Sequence, residues 1–205
     1  VTQVTADEYR VQAQGTLDGR TLRLESPAVV RRDPDGGWRV APTRFTFAGG
    51  EAQASGRFGG SDTEVALQLT RMPLSVLDIG YPGLGLSGNA SGRLDYALHD
   101  GVPSGRVNMT VRGLSRASLV LASRPIDIGL AAVLDSNKIG ARALLASGGK
   151  IIGRAQARLA PLGSGGTLAS RIANAPLAAQ LRYDGPAHLL TIAPTRSGKG
   201  VGTII

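Results

Sequence analysis

The sequence predicts an all-β protein: a long antiparallel meander of hairpins with one apolar face and one or two short helices. Three observations carry this. Apolar and polar residues alternate with period two wherever a periodicity can be counted. Turn signals interrupt the alternation at short intervals. Glycine is abundant, at 29 of 205 residues, about twice ordinary usage. No window of comparable length keeps the i, i+3, i+4, i+7 spacing of an amphipathic helix.

Taken in chain order, the first clear strand is Glu64 to Thr70, with Val65, Leu67 and Leu69 on one side. Gly92 to Leu98 follows, with Leu94, Tyr96 and Leu98 on even positions and Arg93 and Asp95 on odd ones. In Arg106 to Arg112 the parity swaps, and Val107, Met109 and Val111 alternate with Arg106, Asn108, Thr110 and Arg112. Gly153 to Leu159 repeats the pattern with Ala155, Ala157 and Leu159. Each is a half-buried antiparallel strand by its period. Turns are expected at Asp35-Gly36-Gly37, Gly49-Gly50, Gly59-Gly60, Asp100 to Pro103, Ser136-Asn137, Ser147-Gly148-Gly149 and Gly163 to Gly166. A four-residue loop at 100–103 would set Leu94 opposite Met109 and Tyr96 opposite Val107, which places both apolar sets on one face.

Two segments depart from the strand pattern. Pro73 to Ile79 is expected as a short helix, with Pro in its first turn and Gly80 as its stop. Leu168 to Leu181 is a second candidate, interrupted by Pro176. Residues 1–194 are read as one elongated β segment, and 195–205 as an irregular Gly-rich tail. About 14 to 17 strands at roughly 4.8 Å each would extend some 65–80 Å. A sheet of that size must curl to hide its apolar side, or offer that side to an apolar guest.

Composition removes several function classes. There is no cysteine and there are two histidines, His99 and His188, which excludes disulfides and thiolate metal sites and leaves little for a His-based cage. The formal net charge is +8, from 23 basic and 15 acidic residues. The basic residues are arginines apart from Lys138, Lys150 and Lys199, and they are spread singly, with Arg31-Arg32 the one adjacent pair. Trp, Tyr and Phe number 1, 4 and 3 and do not interleave with the arginines. This is what a solvated polar face carries, and a nucleic-acid partner is not expected. Arginine beside anionic phospholipid is a further reading. The longest uncharged stretches, such as Ile128 to Leu134, are far below the roughly 20 residues of a membrane-spanning helix. With no leader at Val1, the chain is expected to be an internal piece of a longer protein.

Motifs that spell chemistry lack its context. Gly83-Leu84-Gly85-Leu86-Ser87-Gly88 matches G-x-G-x-x-G, but a Pro precedes it and a strand follows, where a dinucleotide site needs strand, turn and helix. Ser147-Gly148-Gly149-Lys150 spells S-x-x-K without its partner motifs, and its double glycine disfavours the helix that would aim Lys at Ser. His99-Asp100 sits at a strand end without a nucleophile elbow, and Asp33-Pro34-Asp35-Gly36 lacks the further ligands of a calcium loop. Asn89-Ala90-Ser91 and Asn108-Met109-Thr110 are formal glycosylation sequons. No enzyme is expected, and no cofactor or metal.

The run MPLSVLDIGYPGLGLSGNASGRLDYALHDGVPSGRVNMTVRGL, residues 72–114, resembles the recurring phrase of the TamB group within the AsmA-like proteins. Pro73-Leu74, Leu77, Pro82, Leu84, Leu86, Gly88, Gly92, Leu94, Gly101, Pro103 and Gly105 carry the match. The later GGTLASRIANAPLAAQLRYDGPAHLL resembles the stretch before that group's C-terminal domain, so the likeness runs roughly from Arg44 to Leu190. It implies a long sheet curled into an open, taco-like groove with an apolar lining. It implies a periplasmic location, with an anchor in the inner membrane of the full-length protein, and a TamA-like outer-membrane barrel as partner. It also implies phospholipid transport between the two membranes and support of outer-membrane protein assembly.

A one-faced sheet with no helices to cover it suits acyl chains, each CH₂ gaining about 0.8 kcal/mol on leaving water. The expected lining is Leu67, Leu69, Leu94, Tyr96, Leu98, Val107, Met109, Val111, Ile126, Ile128 and Leu130. Two other functions fit the same composition. One is a scaffold that offers sheet edges to strands of outer-membrane proteins. The other is a dry β-solenoid with a packed interior.

Overall fold

The computed structural model describes residues 1–59, 62–116 and 124–184. Fourteen strands join in one antiparallel sheet. They are β1 (Thr2–Thr5), β2 (Glu8–Val11), β3 (Gln14–Leu17), β4 (Arg20–Leu24), β5 (Ala28–Arg32), β6 (Trp38–Phe47), β7 (Gly50–Phe58), β8 (Thr63–Pro73), β9 (Leu86–His99), β10 (Val102–Arg116), β11 (Ile126–Asp135), β12 (Lys138–Ser147), β13 (Lys150–Leu159) and β14 (Leu177–Tyr183). From β5 to β14 each strand pairs with the next in sequence, and the sheet is open, with β1 and β14 at opposite ends of the pairing order. The four strands read from periodicity lie inside β8, β9, β10 and β13. They run longer than expected because flanking residues continue the ladder, among them Ser87, Gly88 and Ser91 in β9, Pro103, Ser104 and Gly105 in β10, and Lys150 to Ile152 in β13.

At β6 the sheet forks. Trp38, Arg39 and Val40 pair with β5, whereas Phe45, Thr46 and Phe47 pair with β4. Between them the β6–β7 register shifts at Ala41-Pro42. There Pro42 has no N–H to give, and the Thr43 hydroxyl donates to the Ala41 carbonyl at 2.8 Å. One ribbon, β5-β2-β1, leaves from the first half of β6; the β3–β4 hairpin leaves from the second.

The β9–β10 register corrects the loop read from sequence. Leu94 pairs with Val107, Tyr96 with Gly105 and Met109 with Gly92. The turn is two residues, Asp100-Gly101, with φ of 50° and 76°. Those angles are the double positive φ of a type I′ hairpin, which Asp-Gly favours. Pro103, expected in the loop, is the second residue of β10, and a strand start tolerates it. The correction is by two positions, so every side chain keeps its face.

Both helical segments exist in shortened form. Leu74–Ile79 is a 3-10 helix, entered from Pro73 and closed at Gly80, whose N–H donates to the Leu77 carbonyl. α1 spans Leu168–Asn174, and its N-cap Thr167 accepts a bond from the Ser170 N–H. The expected continuation to Leu181 fails because Pro176 forces Ala175 into extended backbone (φ −74°, ψ 143°). The chain re-enters the sheet as β14. The tail expected at 195–205 lies outside the described residues.

Candidate functional site: a charge-free sheet face and two hollows behind it

Register decides which side chains share a face. Following cross-strand partners from β6 to β14 gives Thr43, Ala54, Leu67, Leu94, Val107, Ala132, Ala141, Ala157 and Ala179 in one row. The next row on that face is Phe45, Ala52, Leu69, Gly92, Met109, Leu130, Ala143, Ala155 and Leu181. A third runs Met72, Ala90, Val111, Ile128, Leu145, Gly153 and Tyr183. No charged residue interrupts any of them. Tyr96 belongs to the row Val65, Tyr96, Gly105, Leu134, Leu98 pairs with Thr63 and Pro103, and Ile126 pairs with Leu114. All eleven residues expected to line an apolar wall therefore share one face.

That face is not uniform. At its β6–β8 end Phe47, Ala52 and Met72 form a buried cluster, with Leu17, Leu22, Phe45, Leu67, Leu69 and Val76 packed against it. The β3–β4 hairpin supplies Leu17 and Leu22, and the 3-10 helix supplies Val76. Arg20 Nη1 donates to Ser75 Oγ at 3.3 Å, which ties hairpin to helix. Leu67 and Leu69 are thus part of a small packed core as well as of the wall. From β9 to β13 the wall residues Leu94, Tyr96, Val107, Met109, Val111 and Ile128 are half-buried, and Leu130 is 37% exposed. None of these seven side chains is buried, whereas Ala90 on the same face of β9, the strand against which the 3-10 helix packs, is 6% exposed.

The opposite face carries the charge, and two hollows lie over it. One, of about 780 Å³, lies over the row Arg39, Arg57, Glu64, Ala97, Ser104 and the next row Ser55, Ala66, Asp95, Arg106, Val133. Its arginines are matched by acids. Arg57 Nη2 is 2.6 Å from Asp35 Oδ2 and its Nε 2.9 Å from Asp33 Oδ2; Arg39 also reaches Asp33, at 3.3 Å. Bonding to Asp35 raises the Arg57 pKa. The Asp35 carboxyl is held below its ordinary range, first by the Gly37 N–H and then by Arg57. Arg93 likewise lowers the Asp95 pKa through a 2.7 Å contact. The second hollow, of about 530 Å³, lies over β10 to β14.

The sequence motifs occupy ordinary positions. Gly83 to Gly85 form the approach to β9, with no helix after them. Ser147 and Lys150 flank the β12–β13 turn. His99 stands at the end of β9, half-exposed, 3.4 Å from Asp62 and 3.6 Å from Glu64. Asp33 and Asp35 are engaged by arginine. Among the described residues no group of His, Asp and Glu has the arrangement of a metal site, and no helix is long and apolar enough to cross a membrane.

Comparison with protein-family models, with curated proteins and with solved structures returns no match for this chain.

Proposed function

We propose that the chain is a periplasm-spanning segment of a TamB-like protein. In this reading it conducts phospholipid between inner and outer membranes along its apolar sheet face and supports outer-membrane protein assembly. One observation carries it: two rows of nine residues without a charge cross nine strands, and from β9 onward none of their residues is buried. Such a wall holds acyl chains by area alone, without directional anchors, so a chain can slide along it. The resemblance of residues 72–114 supplies the compartment, the inner-membrane anchor of the full-length protein and the TamA-like partner.

A scaffold role for outer-membrane strands is the second reading. It draws on β14, whose seven residues are all exposed and which closes the pairing order beyond β13. An edge of this kind accepts a further strand. The two readings separate by native mass spectrometry of the chain after incubation with phosphatidylethanolamine vesicles. The conduit reading expects lipid adducts that Leu94→Arg removes and Gln68→Arg, on the polar face, retains. Absence of adducts from the folded parent chain would refute it.

A further inference from the structure

The two hollows of the polar face differ in charge balance. The first is compensated: Arg39 and Arg57 face Asp33, Asp35 and Asp62, and Arg106 pairs in register with Asp95. The second is not. It lies over two adjacent rows, Asn108, Ala131, Arg142, Gln156, Gln180 and Thr110, Gly129, Leu144, Arg154, Arg182. Arg154 and Arg182 are direct cross-strand partners, an arrangement of like charges that weakens a sheet. Arg142 pairs with Gln156, two residues along β13 from Arg154. That diagonal spacing is roughly 7–8 Å, within reach of long side chains.

One carboxylate serves this group. Asp184 is 3.1 Å from Arg182 and 4.0 Å from Arg154, and Arg142 has no ion-pair partner among the described residues. Asp127, one row further on, accepts a bond from the Gly113 N–H. Three guanidiniums against one carboxylate leave an excess of two positive charges. The floor between them is made of Gly129 and Ala131, with Leu144, at 48% exposure, the largest apolar side chain of the two rows. Gln156 donates to Gln180 beside it.

We infer that the hollow framed by Arg142, Arg154 and Arg182 is an oxyanion site that takes a phosphate group bearing a small organic substituent. Planar guanidiniums match phosphate oxygens in pairs. The Gly129, Ala131 and Leu144 floor accommodates the substituent. The site lies on the face opposite the acyl wall and does not depend on it. Two sources share this chemistry, a soluble phosphomonoester and the headgroup of an anionic phospholipid.

The test uses the whole chain and two probes: sn-glycerol 3-phosphate, followed by the arginine side-chain N–H resonances, and phosphatidylglycerol vesicles, followed by co-sedimentation against phosphatidylcholine. Arg142→Gln is compared with Arg31→Gln, which changes net charge equally but lies outside the hollow, paired with Glu8. Binding of glycerol phosphate that Arg142→Gln weakens about tenfold and Arg31→Gln leaves unchanged assigns a soluble ligand. The same pattern with phosphatidylglycerol vesicles alone assigns a headgroup. Arg154→Gln is expected to repeat the loss, and far-UV circular dichroism checks that each variant keeps its sheet. No binding of either probe, or an equal loss from Arg31→Gln, overturns the inference.

Discussion

Gly92 sits in the middle of the apolar wall, and replacing it by alanine should be among the most damaging single-carbon changes in this sheet. Its φ is +148°, and a Cβ built there would stand 2.1 Å from the Asn108 carbonyl oxygen and 2.7 Å from Met109 Cα. Both obstacles are backbone, so no rotamer change relieves them. The backbone angle alone costs about 1–3 kcal/mol for a residue with a side chain. Restoring ordinary contact requires β9 and β10 to part by more than an ångström at this point, which breaks one or two ladder bonds at about 1 kcal/mol each. The expected total is about 2–5 kcal/mol, a large share of the roughly 5–15 kcal/mol that holds a typical domain. Gly129 is the internal control. It lies in β11, without a positive φ, and a Cβ added there would meet nothing within 4 Å. Gly129→Ala should be neutral or stabilise by about 0.4–1 kcal/mol through the unfolded chain. Urea unfolding followed by far-UV circular dichroism reads both. A Gly92→Ala variant within about 1 kcal/mol of the parent, the size of one hydrogen bond, would refute the close-approach reasoning.

Other substitutions test the rest of the account. Phe47→Ala empties the buried cluster at the β6–β8 end, where Phe47 is 1% exposed, and should cost about 3–5 kcal/mol in the same assay. Leu181→Ala, on the edge strand at 65% exposure, should cost under about 1 kcal/mol. Met109→Arg should lower acyl-chain binding at least tenfold yet destabilise by no more than about 2 kcal/mol, because a half-buried arginine extends its head to water; outright unfolding would mean a closed core. The Asp35 carboxyl, lowered by the Gly37 N–H and then by Arg57, contributes stability that is present above the ordinary carboxylate pKa and lost as pH falls through its lowered folded value. Asp35→Asn should therefore be less stable at neutral pH and lose less on acidification below about pH 4. An unchanged acid limb would contradict that.

Period two made β8, β9, β10 and β13 legible, because one face is apolar and a strand that slipped by one residue would expose it. The same parity puts all eleven wall residues on one side even though the loop at Asp100 is two residues shorter than expected. Asp-Gly alone supplies both positive φ values, and Pro103 was misleading because a proline at a strand start resembles one in a loop. The fork at β6 was not legible, since Leu22 meets Phe47 across 25 residues of chain and no local pattern announces it. The core of Phe47, Ala52 and Met72 depends on that same non-local pairing. The arginine-framed hollow needs four registers at once, across β10 to β14: Arg142, Arg154 and Arg182 stand on three strands and look scattered in the sequence.

The central claim is that the charge-free face meets lipid. A photo-crosslinking amino acid at Met109, and separately at Gln68 on the opposite face away from the hollow of β10 to β14, would address it in the presence of phospholipid vesicles. Mass spectrometry of the products should find phospholipid joined at position 109 and none at 68. Lipid at neither position in folded protein, or equally at both, would contradict the account.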